Sequence, residues 1–509
     1  MMIYVPHALR RGCETAFIIL FPLNLTMEIS KEKDFSNWFN TVIADAELAD
    51  LRYNVKGFVV FRPWSTKSMK LMYTAYETEL EKRGHEPAIF PSVIPERNFR
   101  IEGEHVEGFV PEVFWIERAG NNELEEKLAL RPTSETAMYQ MYSLWVQGLV
   151  DLPIKIYQSC QVWRYETKAT KPFFRSREFY WIEAHDAFAT RGEAEAQVRE
   201  DMEMSEEVVH KQFGIPFIFF QRPEWDKFPG AIHTFAADTL MPDGKVLQLP
   251  STHLLGQNFS KAFGVSFQDE KEQKQYVWQT CYGPCISRIY GAMFCIHGDD
   301  RGLMVPYDFA PVQAVIVPIA GKDTAIESVN EYGKKVQSIL LDAGFRVKLD
   351  TSNNKPGFKY NYWELRGVPI RLEIGAREMG EGKVTLLARD GKKEDKHAVD
   401  LENLISEIKK EGKRFSSRRL EIADKKFETS MHTAETMDEL GEKLKMGGLV
   451  RVPFCSLEKD AKEFADVIKE KFSGDIRGIK YPHEPSPKDK KCVVSGKEAK
   501  YWVYVARQY

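Results

Sequence analysis

Apolar and polar positions alternate along Gln161 to His185, QVWRYETKATKPFFRSREFYWIEAH, in two runs separated by a short polar loop holding Lys168, Lys171 and Pro172. Alternation with a period of two marks a half-buried strand, so this stretch predicts an antiparallel hairpin. Between Ser68 and Arg83 the pattern changes. Met69, Met72, Tyr73, Tyr76 and Leu80 recur at spacings of three and four, which predicts an amphipathic helix. Gly84 suits its end, having no Cβ to oppose a left-handed cap, and HEPAIFPSVIP, His85 to Pro95, reads as the strand that follows. Taken alone, that pair is an ordinary core helix and strand.

Beyond Gln313 the texture shifts. AVIVPIA is a buried-strand run, Asp323 to Ala343 is helical, and FRVKLD, PIRLEIG and KVTLLARD are strand-like before the helical VDLENLISEIKKEG. Strands alternating with helices predict a compact α/β unit, bounded near Ala310 and near Gly412. The remainder, Lys413 to Tyr509, is highly charged. It holds an exposed Pro- and Lys-rich loop, YPHEPSPKDKKC, and finishes on the strand-like YWVYVARQY. No internal repeat occurs.

A length of 509 residues sets a prior of roughly three domains. The net charge of −4 excludes a bulk basic balance as the basis of nucleic-acid binding, so any RNA surface must be local. Seven scattered cysteines suit a reducing, cytoplasmic setting. No apolar run reaches membrane-spanning length, so no membrane partner is expected. Ala16 to Leu25, preceded by Arg10 and Arg11, has a signal-like charge and core, but Pro22 interrupts it. Residues 1–26 therefore read as a dispensable extension.

Candidate chemistry concentrates in the hairpin. Arg164, Glu166, Arg175, Arg177, Glu178 and Phe179 supply guanidiniums, carboxylates and a ring, the groups that hold a polyphosphate and a flat base. Trp181, Glu183 and His185 alternate, so their side chains share one face of the strand. For each residue alone the plainer reading stands. Arg164 is a surface partner of Glu166, Phe179 packs inward, and His185 and His253 are satisfied core histidines. In combination those readings weaken.

The hairpin resembles motif 2 of the class II aminoacyl-tRNA synthetases. RPTSE at Arg131 to Glu135, WIEAH at Trp181 to His185 and HLLGQNF at His253 to Phe259 narrow the resemblance to prolyl-tRNA synthetases of the archaeal and eukaryotic type. It covers nearly the whole chain. It implies an α+β protein with an antiparallel-sheet class II catalytic core (27–310), a mixed α/β anticodon-binding domain (311–412) and a small α/β C-terminal domain (413–509). The Ser68–Arg83 helix and the strand after it look like motif 1, which implies a homodimer. The implied activity is ligation of L-proline to tRNA(Pro), with ATP as substrate and Mg2+ on its phosphates.

The resemblance also implies roles. Arg164 bridges the two reacting anions, and Arg288 of CYGPCISRIYGAM takes the outer phosphate across from it. Glu166 meets the adenine edge, Phe179 stacks on the base, Arg175 takes outer phosphates, and Gln248 and Ser251 complete the ATP site. Thr133, Glu135, Arg164, Trp181, Glu183, His185 and His253 form the proline pocket. Arg377, Glu378 and Lys383, beside the GARE turn, are candidates for anticodon contact, with a solvated charged loop as the equal alternative.

Two departures from the family pattern stand out. Leu249 and Pro250 follow Gln248 where two glycines are common. In the C-terminal domain only Cys455 and Cys492 remain of four zinc-binding cysteines, with Asp460 and Ser495 in the other places. Structural zinc prefers thiolate and imidazole ligands, so a domain held by packing without zinc is expected. No metal is expected at Cys281 and Cys285 either, because that pair lacks a second pair nearby. The rivals are a sister enzyme for another amino acid and a non-catalytic RNA-binding relative. The first lacks its zinc-ligand residues here, and the second has no reason to keep Arg164, Arg288 and RPTSE together.

Overall fold

The computed structural model describes residues 29–105, 112–321 and 325–509. The apolar run Ala16–Leu25 and the expected extension 1–26 lie outside the described residues. Among the described residues no helix is long and apolar enough to cross a membrane.

The predicted hairpin forms. Strands Ile154–Trp163 and Glu178–Phe188 pair antiparallel from Ile154 opposite Ala187 to Trp163 opposite Glu178. Its connection is anchored, not simply a polar loop. Phe173 and Phe174 are buried against Phe39, Tyr290 and Phe294, which pins the segment onto helix Ile286–His297. The helix predicted from Ser68 starts earlier, as Pro63–Lys82, because Pro63 is well suited to the first turn.

The strand expected over HEPAIFPSVIP is split. Glu86–Pro87 pairs in parallel with the hairpin, while Val93–Pro95 joins a separate three-stranded sheet with Phe114–Ala119 and Asn122–Leu130. Proline lacks the N–H that a ladder needs, and Pro87 and Pro91 interrupt one continuous pairing.

The hairpin lies near one edge of an eleven-stranded sheet. From Glu86–Pro87 and the hairpin the order runs through Trp278–Gly283, Val246–Gly256, His233–Leu240 and Ile218–Gln221. It then passes into Asp475–Lys480, Tyr501–Ala506, Leu449–Phe454 and Met431–Thr433. The sheet of the C-terminal domain is thus continuous with the catalytic sheet, joined where Ile479 and Lys480 pair with Gln221 and Phe220. The side of the catalytic sheet away from the hairpin's polar residues carries Ile182 and Ala184. Both enter a core with Trp38, Phe39, Tyr76, Tyr290 and Phe294.

Between these parts of the chain sits a five-stranded mixed sheet. Ala314–Pro318 is flanked in parallel by Val347–Leu349 and Ile370–Ile374, and Lys383–Ala388 and His397–Asp400 continue it antiparallel. The helix predicted from Asp323 is described from Ile326 to Asp342. Helix Leu404–Thr429 begins in the core of this unit through Leu404 and Ile408. It reaches the C-terminal sheet through Phe427, which packs with Leu449 and Tyr504. Residue 412 therefore falls inside a continuous helix.

Zinc does not fit the C-terminal domain. The Ser495 hydroxyl donates to Cys455 Sγ at 3.5 Å, and Asp460 accepts from the Ser456 hydroxyl at 3.0 Å. Two thiols and a hydroxyl are a poor set for a structural site. The domain packs instead on Val450, Val452, Phe454, Ile468, Val503 and Val505.

The junction of the two sheets rests on Gly478. Its φ is 119°, and a Cβ there would lie 2.0 Å from the Gln221 carbonyl oxygen. Gly478→Ala is expected to cost about 1–3 kcal/mol through backbone strain alone and to lower the midpoint of thermal unfolding. An unchanged midpoint would show that the junction does not depend on this close approach.

Candidate active site

A cavity of about 330 Å³ opens on the catalytic sheet. It gathers Thr133, Glu135, Arg164, Phe179, Trp181, Glu183, His185, Gln248, Ser251, His253 and Arg288 from five separate segments. Every residue expected for proline lines it, as do five of the seven expected for ATP. Glu166 and Arg175 lie outside that lining. They face each other at 3.7 Å, and Arg175 Nη2 donates to the main-chain oxygen of Tyr509 at 2.7 Å.

Among the described residues Arg164 makes no ion pair with a carboxylate. Its guanidinium sits over the rings of Phe179 and Trp181, with centroids at 5.4 and 4.8 Å, and Nε donates to the Pro132 carbonyl at 3.0 Å. Arg288 is fixed in the same manner, Nε to the Phe174 carbonyl at 3.0 Å and Nη1 to the Gln248 carbonyl at 3.3 Å. Neutral acceptors set the geometry of both groups and leave their charge unspent. Burial first, and then the Arg288 charge, press the Arg164 guanidinium downward from its ordinary pKa, while Glu135 and Glu183 oppose that. Two cations on the wall of one cavity, with rings beside Arg164, can receive two anions.

Thr133 and Glu135 enter from RPTSE, at the start of helix Glu135–Trp145. The arginine of that motif is structural: Arg131 donates to the Gln161 carbonyl at 2.9 Å and the Phe90 carbonyl at 2.8 Å. Glu183 is the hub. It accepts from the Ser134 N–H at 2.9 Å, the Ser134 hydroxyl at 3.0 Å and the Thr133 hydroxyl at 3.1 Å, and lies 3.1 Å from His185 Nε2. Burial pushes its carboxyl up, but His185 and these hydroxyls outweigh that and hold it at about 2. The single Thr133 proton is shared between Glu183 and Glu135, whose carboxylate, with His185 and Cys281, forms a tight buried group. Trp181 is wedged against Gly283, where a Cβ would come within 2.5 Å of its indole nitrogen. Any side chain at Gly283 would push the indole out of the cavity wall.

His253 closes the opposite side, between the Thr234 hydroxyl at 2.9 Å and the Ser251 hydroxyl at 3.0 Å, with its ring on Phe228. Leu249 and Pro250 form a bulge. Asp238 pairs with Gln248 and Ala236 with Ser251, so two residues oppose one. A bulge is where a sheet tolerates proline. The departure from two glycines therefore leaves Gln248 and Ser251 on the cavity wall.

Sequence reasoning missed Arg222, Lys227, Phe228, Thr234 and Gly283, all of which line the cavity. Arg222 to Phe228 belong to QRPEWDKFPG, whose prolines and charges carry no periodic signal. The candidate anticodon residues lie elsewhere, Arg377 and Glu378 on the short helix Ala376–Glu381 and Lys383 at the start of strand Lys383–Ala388 of the mixed sheet. Glu378 accepts from the Gly375 N–H, the Thr385 hydroxyl and Arg377, so its carboxylate is engaged within the turn. Arg377 is 71% exposed, and Lys383 lies 3.6 Å from Glu381.

Residues 114–297 match the model of the tRNA synthetase class II core domain (G, H, P, S and T), residues 313–411 that of the anticodon binding domain, and residues 437–509 that of the prolyl-tRNA synthetase C-terminal domain. The fold and these domain matches define a class II aminoacyl-tRNA synthetase. Among relatives, the proline–tRNA ligase of Thermofilum pendens is 50% identical over 94% of this chain and 98% of its own length, and that of Pyrococcus abyssi 40% over 94% and 98%. The structure of Giardia lamblia prolyl-tRNA synthetase in complex with prolyl-adenylate superposes with a TM-score of 0.91 at 34% identity, covering 95% of this chain and 100% of the other. The Cryptosporidium parvum enzyme complexed with L-proline and AMP gives 0.88 at 32%, covering 96% and 97%. The chain belongs to the prolyl-tRNA synthetase family.

Burial, then the charges of His185, Arg222 and Arg164, hold the His253 imidazole at about 3. An unfolded histidine takes up its proton near pH 6.5. Between those values the unfolded state binds more protons, so stability falls as pH drops through that window. His253→Gln is expected to flatten the acid-side loss by up to ~1.4 kcal/mol per pH unit, read from denaturant unfolding between pH 6.5 and 4. An unaltered slope would mean that His253 is already protonated in the folded protein.

Proposed function

We propose that proline binds between Trp181 and His253 with its carboxylate on Arg164, and that ATP lies across Arg164 and Arg288. The observation that carries this reading is the pair of guanidiniums held by rings and carbonyls in one cavity. The family's activity is ATP-dependent ligation of proline to tRNA, and this chain is a ligase of that kind.

The chemistry demands little acid–base help. A carboxyl group ionises at roughly pH 3–4, so proline arrives as its own nucleophile. A carboxylate oxygen attacks the α-phosphorus of ATP, the bond to pyrophosphate breaks, and prolyl-adenylate forms. The 2′- or 3′-hydroxyl of the terminal tRNA adenosine then takes the prolyl group and AMP leaves. Arg164 aligns the two anions and stabilises the charge that gathers on the α-phosphate. Arg288 takes the outer phosphate, and Phe179 stacks on adenine. Mg2+ enters as the counter-ion of ATP, on its phosphate oxygens. Glu166 and Arg175 adjoin this site. In this reading they meet the adenine edge and the outer phosphates once Arg175 leaves Tyr509.

The secondary ammonium of proline has two N–H donors. Glu135 and the Thr133 oxygen accept them, while Glu183 and His185 hold those acceptors from behind. Trp181 walls the ring. In the anticodon-binding domain, tRNA is read with Arg377 as the exposed guanidinium, steadied by its ion pair with Glu378, and with Lys383 nearby. A second copy of the chain is the expected partner for the groove along helix Pro63–Lys82, lined by Phe61, Met69, Tyr73, Cys160 and Gln161.

Arg164→Ala is expected to lower proline-dependent ATP–pyrophosphate exchange by at least ~100-fold with the circular dichroism spectrum unchanged. Near-normal exchange would remove Arg164 from the mechanism. Arg377→Ala is expected to raise KM for tRNA several-fold in aminoacylation and leave tRNA-free exchange alone. Equal aminoacylation kinetics would return Arg377 to a solvated loop.

A further inference from the structure

A fully buried carboxylate outside the proline pocket ties the active site to the C-terminal domain. Asp238, on strand His233–Leu240, accepts from Arg222 Nη1 at 3.0 Å and Nη2 at 2.9 Å. It also accepts from Arg477 Nε at 2.7 Å and Nη2 at 3.1 Å. Arg477 lies on Asp475–Lys480, the strand of the C-terminal domain that joins the catalytic sheet. All three side chains are 3% exposed or less. Arg222 Nη1 also donates to the Arg477 carbonyl at 2.6 Å. On its other side, Arg222 lines the cavity and its Nη2 donates to Gln248 Oε1 at 3.2 Å. The carbonyl of that same Gln248 fixes Arg288.

Two guanidiniums share the one fully buried carboxylate of Asp238, and the half-exposed Asp226 lies 3.9 Å from Arg222 Nε. Arg222 meets both oxygens of Asp238 through its two Nη groups, and Nη2 has a second N–H left for Gln248; Arg477, bound to the same two oxygens, fixes where that carboxylate stands. Burial would raise the Asp238 carboxyl, but the charges of Arg222 and Arg477 hold it at about 2, so it stays ionised through the working pH range. The proline side of the cavity has its own supports in Glu183 and Thr133, neither of which bonds to this cluster among the described residues. Thr234, which holds His253, meets it only through its backbone, its carbonyl accepting from the Arg222 N–H at 2.8 Å.

We propose that Arg477 is a positioning residue for amino-acid activation: through the shared Asp238 it sets Arg222, and through Arg222 the Gln248 side chain on the ATP side of the cavity. The C-terminal domain is then part of the construction of the active site. This rests on the ATP and proline sites proposed above.

The test is proline-dependent ATP–pyrophosphate exchange of the full chain without tRNA, comparing wild type, Arg477→Met and Arg477→Lys. KM for ATP is expected to rise roughly tenfold or more in Arg477→Met with kcat lowered, because small displacements of positioning groups carry large rate penalties. KM for proline is expected to stay within about twofold. Arg477→Lys keeps the charge and loses the paired donors, so KM for ATP should fall between wild type and Arg477→Met. If Arg477→Met does not fold, a raised KM for ATP in Arg477→Lys, with KM for proline unmoved, supports the proposal. Wild-type values in both folded variants would overturn it, as would KM rising equally for ATP and proline. Failure of the wild-type chain itself to exchange with proline would instead overturn the underlying assignment of the two sites.

Discussion

A site for two anions must keep positive charge fixed in place yet unneutralised. Arg164 and Arg288 meet that constraint through what holds them: two aromatic rings and the carbonyls of Pro132, Phe174 and Gln248. Carbonyls and rings orient a guanidinium without cancelling its charge. Arg222 and Arg477, where charge would otherwise be buried unpaired, do the reverse and converge on Asp238. The placement of carboxylates thus separates the half-buried arginines that the proposed reading gives to substrate from the buried ones that hold the wall. Much of the fold follows from this division. Phe174 can present its carbonyl to Arg288 because the hairpin connection is anchored in the core by Phe173 and Phe174.

Much of the site was legible because its chemistry is local in sequence. Trp181, Glu183 and His185 alternate on one strand, and RPTSE places Thr133 and Glu135 within a few residues of each other. What the sequence concealed depends on distant pairing. Arg477 and Asp238 are 239 residues apart, and no periodicity within either strand indicates that they meet. The continuity of the two sheets has the same cause, since it rests on Ile479 and Lys480 finding Gln221 and Phe220. The split of HEPAIFPSVIP was visible in principle, through the missing N–H groups of Pro87 and Pro91. Phe173 and Phe174 read as part of a polar loop because Lys168 and Lys171 precede them and Arg175 follows, yet Lys171 itself lies over the rings of Phe39 and Tyr509.

Specificity for proline cannot rest on the apolar wall alone. One methylene in an apolar pocket changes binding by roughly 1–3 kcal/mol, so alanine and cysteine are the natural competitors. In the proposed pocket the polar side adds what the wall lacks. Glu135, Thr133, Glu183 and His185 form one connected, buried network, and a ligand that leaves its acceptors unpaired forfeits more than it would on a wet surface. The Trp181 indole, wedged at Gly283, then limits the space behind the ring.

The most direct measurement is ATP–pyrophosphate exchange without tRNA across all twenty amino acids. Strong exchange with proline and weak exchange with alanine or cysteine is the predicted result. Folded protein that binds tRNA yet exchanges with no amino acid would contradict the assignment of Arg164 and Arg288 to two reacting anions.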